Sequence, residues 1–186
     1  CGPTGIGFLW SRKEILEKIP PLFGGGEMIQ DVFEETSTWA ELPHKFEAGT
    51  PAIAEAIGLA EAINYINNIG LNEIHEYEKT ITKYLFEKLN QIENIEIIGP
   101  SPEIDPDRAS LATFYIKNIH SNDIAEILDS KGICIRSGHH CCQPLHRYIG
   151  IKSTARISMN FTTNKEEIDI FIEKLKDTID FLKINS

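Results

Sequence analysis

Apolar residues recur at intervals of three and four through Ile53, Ile57, Ala60, Ile63 and Ile66. That is the spacing of one helix face, and Gly70 supplies the stop. A second helix starts near Asn72 and repeats the pattern through Ile74, Tyr77, Ile81, Leu85 and Leu89. Both faces are expected to be core. A third run, Ile168, Phe171, Ile172, Leu175, Ile179 and Leu182, follows Thr163-Asn164-Lys165-Glu166, which reads as a capping box. Elsewhere the period falls to two. Residues 155–161 alternate Ile157, Met159 and Phe161 against Arg156, Ser158 and Asn160, the pattern of a half-buried strand. Shorter strands are predicted at 95–98, 111–117 and 133–136, the last with Cys134 and Arg136 opposite Ile133 and Ile135. Ser121 is expected to cap a helix carrying Ile124, Ile127 and Leu128 and closed by Gly132, and a short helix lies near 145–149. Strands interleaved with helices predict an α/β lobe.

The first fifty residues are less periodic. Glycines mixed with Phe8, Leu9 and Trp10 predict a turn feeding a buried strand, then a short amphipathic piece through Ile15, Leu16 and Ile19 that ends at Pro20-Pro21. Gly24-Gly25-Gly26 permits either close backbone approach or a flexible turn. No period survives from 27 to 47, which predicts a long loop packed on another surface. Pro51 restricts Thr50 to extended geometry and suits a helix start, so Gly49 and Thr50 face an anion there or Thr50 serves as a plain N-cap.

Composition narrows the class. The chain has 186 residues, 41% hydrophobic and 25% charged, enough for one good core and a second small lobe. A net charge of −10 argues against nucleic acid or an anionic membrane as a main partner, because both demand basic patches. No apolar run of spanning length occurs. The sequence begins at Cys1 without a signal-peptide progression, and a missing N-terminal portion is expected. Cysteines 1, 134, 141 and 142 do not form a disulfide framework, which favours a reducing compartment.

Candidate chemistry concentrates in Arg136-Ser137-Gly138-His139-His140-Cys141-Cys142-Gln143-Pro144. A thiol reacts as its thiolate, and neighbouring cations favour that form. Cys141 therefore reads as a nucleophile. It also reads as a buried structural thiol, or as a metal ligand with His139, His140 and Cys142, although adjacent residues rarely converge on one ion. Arg156, on the polar side of its strand, is placed to clamp a carboxylate or to form a surface ion pair. His139 and His140 individually stay open between hydrogen-bonding and catalytic roles.

GPTGIGFLW at the start, KFEAGTP at 45–51, RSGHHCCQPL at 136–145 and ARISMNFTTNKEEID at 155–169 together resemble the SUF-type cysteine desulfurases. These are pyridoxal-phosphate enzymes of the class V aminotransferase superfamily. The resemblance spans nearly the whole chain and only the C-terminal part of the family's length. It implies a fold-type-I transferase, with residues 1–51 closing the large cofactor-binding domain and 52–186 forming the small α/β domain. It further implies desulfuration of L-cysteine to L-alanine, with Cys141 as nucleophile and persulfide carrier. Arg156 would hold the substrate carboxylate, with Arg136 and His140 supporting substrate binding. Thr50 and Gly49 would serve the phosphate of pyridoxal 5'-phosphate across a homodimer, and no metal is implied. A SufE-like acceptor for iron-sulfur assembly is the implied partner. The Schiff-base lysine is expected just before Cys1, so this chain alone is expected to be inactive. Selenocysteine lyase activity and a metal-binding or sulfur-carrying module are the alternatives. Cys142 stands where Ala or Thr is expected, as a spectator, a resolving thiol or a second carrier. The QPLHRY stretch and the Ile, Asn and Lys bias suit a plastid, with a bacterial cytoplasm as the alternative.

Overall fold

The structure, a computed structural model, describes residues 1–184. The chain divides into two compact units, Cys1–Ile69 and Gly70–Ser186.

In the first unit, helix α1 (Lys13–Lys18) realises the short amphipathic piece. Lys45, nearly buried, donates from Nζ to the carbonyls of Leu16 and Glu17, both at 3.1 Å, satisfying the helix end. The expected buried strand around Phe8 to Trp10 is absent: these residues form no strand, and Phe8 and Trp10 stand 80% and 81% exposed. A buried strand needs paired neighbours, and no strand of this unit pairs with it. The expected loop at 27–47 is instead an antiparallel hairpin, β1 (Ile29–Val32) with β2 (Ser37–Trp39), followed by a 3-10 turn at His44–Phe46. A register shift between Ile29 and Asp31 breaks the alternation and hides the strand period from the sequence.

Helix α2 (Ile53–Ile69) forms as predicted, but its expected core face is not buried: Ile53 and Ile57 are 60% and 69% exposed. The half-buried residues are Glu55, Gly58, Leu59, Ala62 and Ile66, of which Ile66 alone belongs to the expected face. Gly58 lets Pro3 approach so closely that a Cβ there would lie 3.2 Å from its ring.

The second unit is a two-layer lobe. Strands β3 (Ile95–Ile98), β4 (Leu111–Ile116), β5 (Arg136–Gly138) and β6 (Thr154–Ser158) form one antiparallel sheet in the order β3-β4-β6-β5. Ala112, Phe114 and Ile116 pair across from Ile157, Ala155 and Ile95, so these residues share one face. Helices α3 (Leu71–Leu89), α4 (Ser121–Ser130) and α6 (Lys165–Ile184) cover it, contributing Ile81, Leu85, Leu89, Ile124, Leu128, Phe171 and Leu175 to the core. The opposite face carries Thr113, Arg156 and Arg136 in one row. Arg108 ties down the loop between β3 and β4. Its guanidinium lies 4.3 Å above the Phe86 ring, and it donates to the Pro100 and Leu111 carbonyls.

Two caps differ from expectation. His120, not Ser121, caps α4: its Nδ1 accepts from the Asn122 N–H at 3.2 Å, while Ser121 donates to Ser153 Oγ at 2.8 Å. The box before α6 is one residue later than read, between Asn164 and Glu167, with reciprocal 2.9 Å bonds. Asparagine accepts from the third helical N–H as well as threonine does, so the two registers look alike in sequence.

Candidate active site

The cysteine loop leaves β5 and enters helix α5 (Gln143–Ile149), which Pro144 opens in its first turn. The ladder of β5 begins at Arg136, three residues later than expected, although Ile133 and Ile135 do pack on the core while Cys134 stays exposed. Antiparallel pairing places Arg136 opposite Arg156, Ser137 opposite Ala155 and Gly138 opposite Thr154. Two guanidiniums thus sit on directly opposed positions of one face, an arrangement that repels unless an anion lies between them.

The loop tip is a tight turn. The Cys142 N–H donates to the His139 carbonyl at 2.8 Å, and both central residues have positive φ, 51° at His140 and 60° at Cys141. Turns of this kind favour Gly, Asn and Asp, so His and Cys here carry backbone strain on the order of 1–3 kcal/mol each. The turn projects Cys141, whose thiol is free and exposed, and Arg136 Nη2 donates to its sulfur at 3.4 Å. That contact sets a positive charge where a thiolate's negative charge resides. Arg136, Ser137, His139, His140, Cys141, Gln143 and Pro144 line an open cleft.

Below the turn, Thr154 is 1% exposed and its hydroxyl lies 3.0 Å from Nε2 of both His140 and His146. His146, also buried, donates from Nδ1 to the Cys142 carbonyl at 3.0 Å. Desolvation chiefly, then the charges of Arg156 and Arg136, hold His140 below the ordinary histidine pKa. Two buried atoms of this face have no hydrogen-bond partner, His140 Nδ1 and Arg156 Nε.

Cys141, Arg136, Arg156 and His140 are therefore brought together on the open face of the second unit. Gly49 and Thr50 lie in the first unit. The Gly49 N–H donates to the Gly26 carbonyl at 2.9 Å, so it is not free for an anion; its φ of 78° makes the turn. Helix α2 starts at Ile53, with the Ala52 carbonyl accepting from Ala56, so Thr50 is not its N-cap. Its side chain is exposed. No group of three or more His, Cys, Asp or Glu among the described residues is arranged to hold a metal ion. Among the described residues, no helix is long and apolar enough to cross a membrane. Sequence reasoning missed Thr154 and His146. The signals were there: Thr154 shares the parity of Arg156 on one strand, and His146 stands one helical turn after Cys142.

The pattern of the aminotransferase class-V family matches residues 1–171, and the chain belongs to that family. A probable cysteine desulfurase of Synechocystis sp. is 53% identical over 181 residues, covering 97% of this chain and 43% of that protein. A probable cysteine desulfurase of Staphylococcus epidermidis is 48% identical over 180 residues, again 97% and 43%. The apo cysteine desulfurase of Thermococcus onnurineus superposes with a TM-score of 0.86 at 37% identity, over 96% of this chain and 44% of that one. The cysteine desulfurase CsdA of Escherichia coli, in an S-sulfonic acid form, gives 0.86 at 29% identity, over 97% and 44%. The chain thus spans about 43% of the length of the curated relatives it matches.

Proposed function

We propose that the chain is the C-terminal part of a SUF-type cysteine desulfurase that converts L-cysteine to L-alanine and carries the sulfur on Cys141 as a persulfide. The observation that supports this most is the exposed Cys141 thiol on its strained turn, contacted by Arg136 beside the Arg136 and Arg156 row. The opposed guanidiniums offer paired donors to the carboxylate of an amino acid. The Cys141 sulfur attacks the substrate sulfur; an S–S bond forms as the C–S bond breaks. The net change is L-cysteine plus enzyme thiol to L-alanine plus enzyme persulfide.

Pyridoxal 5'-phosphate would supply the electron sink for the pair released from the C–S bond. The residues present fit it in one respect: Thr50 offers an exposed hydroxyl beside a glycine turn, suited to its phosphate, in the proposed homodimer from the neighbouring subunit. Gly49 shapes that turn and does not donate. The Schiff-base lysine is assigned to the segment preceding Cys1. The persulfide would pass to a SufE-like acceptor for iron-sulfur assembly, in a plastid by the resemblance of the loop; recovery of the protein in a bacterial cytosol would replace that compartment.

The test uses the complete enzyme with its cofactor. Cys141→Ala is expected to abolish persulfide formation while leaving the cofactor absorbance intact. Persulfide retained in that variant overturns the assignment. Alanine released from selenocysteine but not from cysteine would make the enzyme a selenocysteine lyase, and stoichiometric zinc lost on changing His139 would make the loop a metal module.

A further inference from the structure

The three hydrogen bonds beneath the cysteine turn have only one consistent polarity when His146 is neutral. A carbonyl only accepts, so His146 Nδ1 must carry the proton given to the Cys142 carbonyl. Its Nε2 is then a bare acceptor, and the Thr154 hydroxyl donates to it. Thr154 has one hydroxyl proton, so its oxygen accepts the bond from His140, and His140 Nε2 carries that proton. One imidazole proton is now placed and His140 Nδ1 is left with a lone pair. The reverse polarity needs a second proton on His146, which is buried with no carboxylate among its hydrogen-bond partners and whose ring lies 6.1 Å from that of His140.

Nδ1 of His140 is the buried atom without a partner, and Arg156 Nε, which can only donate, is the other one on this face. Thr154 and Arg156 stand two residues apart on β6 and so point the same way, which puts the His140 ring, bonded to Thr154, on the side of the sheet that carries Arg156. A buried acceptor and a buried donor, each costly to leave unmade, are complementary. Desolvation first and the Arg156 charge second lower the His140 pKa, the direction that leaves Nδ1 a lone pair.

We propose that His140 is a positioning residue for Arg156, its tautomer fixed from the Cys142 carbonyl through His146 and Thr154. When Arg156 engages a carboxylate, its Nε–H docks on His140 Nδ1, and the guanidinium then presents its two Nη groups end-on to the ligand. The fork is held in one orientation, and the same relay ties that orientation to the residue after Cys141. This rests on the reading of Arg156 as the carboxylate clamp of the proposed desulfurase.

The test pairs a spectroscopic readout with kinetics on the complete holoenzyme. With 15N-labelled histidine, solid-state NMR of His140 is expected to show a protonated Nε2 and an unprotonated Nδ1. Thr154→Val, nearly isosteric, removes the hydroxyl. It is expected to lose that single-tautomer signature and to raise KM for L-cysteine roughly tenfold with a smaller change in kcat, the scale of one charge-assisted hydrogen bond. Thr154→Ser keeps the hydroxyl and should restore both. A protonated Nδ1 in the wild type, or a Thr154→Val enzyme with unchanged tautomer and KM, overturns the proposal. A wild type with the expected tautomer but no activity on L-cysteine would instead overturn the desulfurase reading, since the tautomer is read without turnover.

Discussion

Arg136→Met isolates the electrostatics of the open face. It keeps an unbranched side chain on β5 while removing one of two like charges at directly opposed positions. Opposed Cβ atoms lie about 5 Å apart, and outward-splayed guanidiniums roughly 7 Å, so their repulsion is about 0.6 kcal/mol at the dielectric of water and about 1.2 at half that value. The substitution also removes the 3.4 Å contact from Arg136 to the Cys141 sulfur, a weak acceptor, which costs about 0.5 kcal/mol. Without ligand, the variant should therefore be slightly more stable, by a few tenths of a kcal/mol, or on the order of 0.5 °C in melting temperature for the complete protein. With a saturating amino-acid carboxylate the sign reverses, because a charge-assisted bond worth about 1.5–3 kcal/mol is lost. Thermal denaturation of the complete protein with and without L-alanine, at low and high salt, reads both effects. The unliganded gain must shrink with salt, since it arises between partly solvated charges. A variant destabilised without ligand at low salt, and indifferent to salt, would refute the reasoning.

Asn164→Ala removes one half of the reciprocal cap on α6 and should lower stability by about 1 kcal/mol, whereas Thr163→Ala should cost less; equal losses in a melting series would put the cap back one residue. His140 titrates below the ordinary value of 6.5, so folding favours its neutral form. Its contribution is fully present above that value and is lost as pH falls from there through the lower folded value. Melting temperatures compared at about pH 7.5 and about pH 5.5 should show a steeper decline for the wild type than for His140→Gln, and equal slopes would contradict the depressed value.

Much of the second unit was legible because its elements are long or strictly alternating. Ile81, Leu85 and Leu89 keep helical spacing and are buried, and Ile95–Ile98 is the strand that the sequence predicts. Cys141, Arg136 and Arg156 were found by residue type and motif, and the β5–β6 register then placed the two arginines face to face. What was not legible depended on partners distant in sequence. Trp10 resembles a strand residue but has nothing in its unit to pair with, and Ile57 obeys helical period while Gly58 beside it makes the contact. The β1–β2 hairpin was hidden by its register shift, and Thr154 lay one residue outside the predicted strand, its role visible only where two imidazoles converge on it. A one-residue ambiguity in capping chemistry displaced both misread caps.

Ala155, Arg156 and Ile157 of β6 point alternately to the two faces of the sheet, which gives them different fates under random substitution. Ala155 and Ile157 face the helices, so larger or polar replacements there should remove the protein from the cell by degrading its abundance. Arg156, one step between them, faces away, and under the proposed function its replacements should leave abundance intact while desulfurase output falls. A saturation scan that scores protein level and activity separately would show the two phenotypes alternating over Ala155, Arg156 and Ile157.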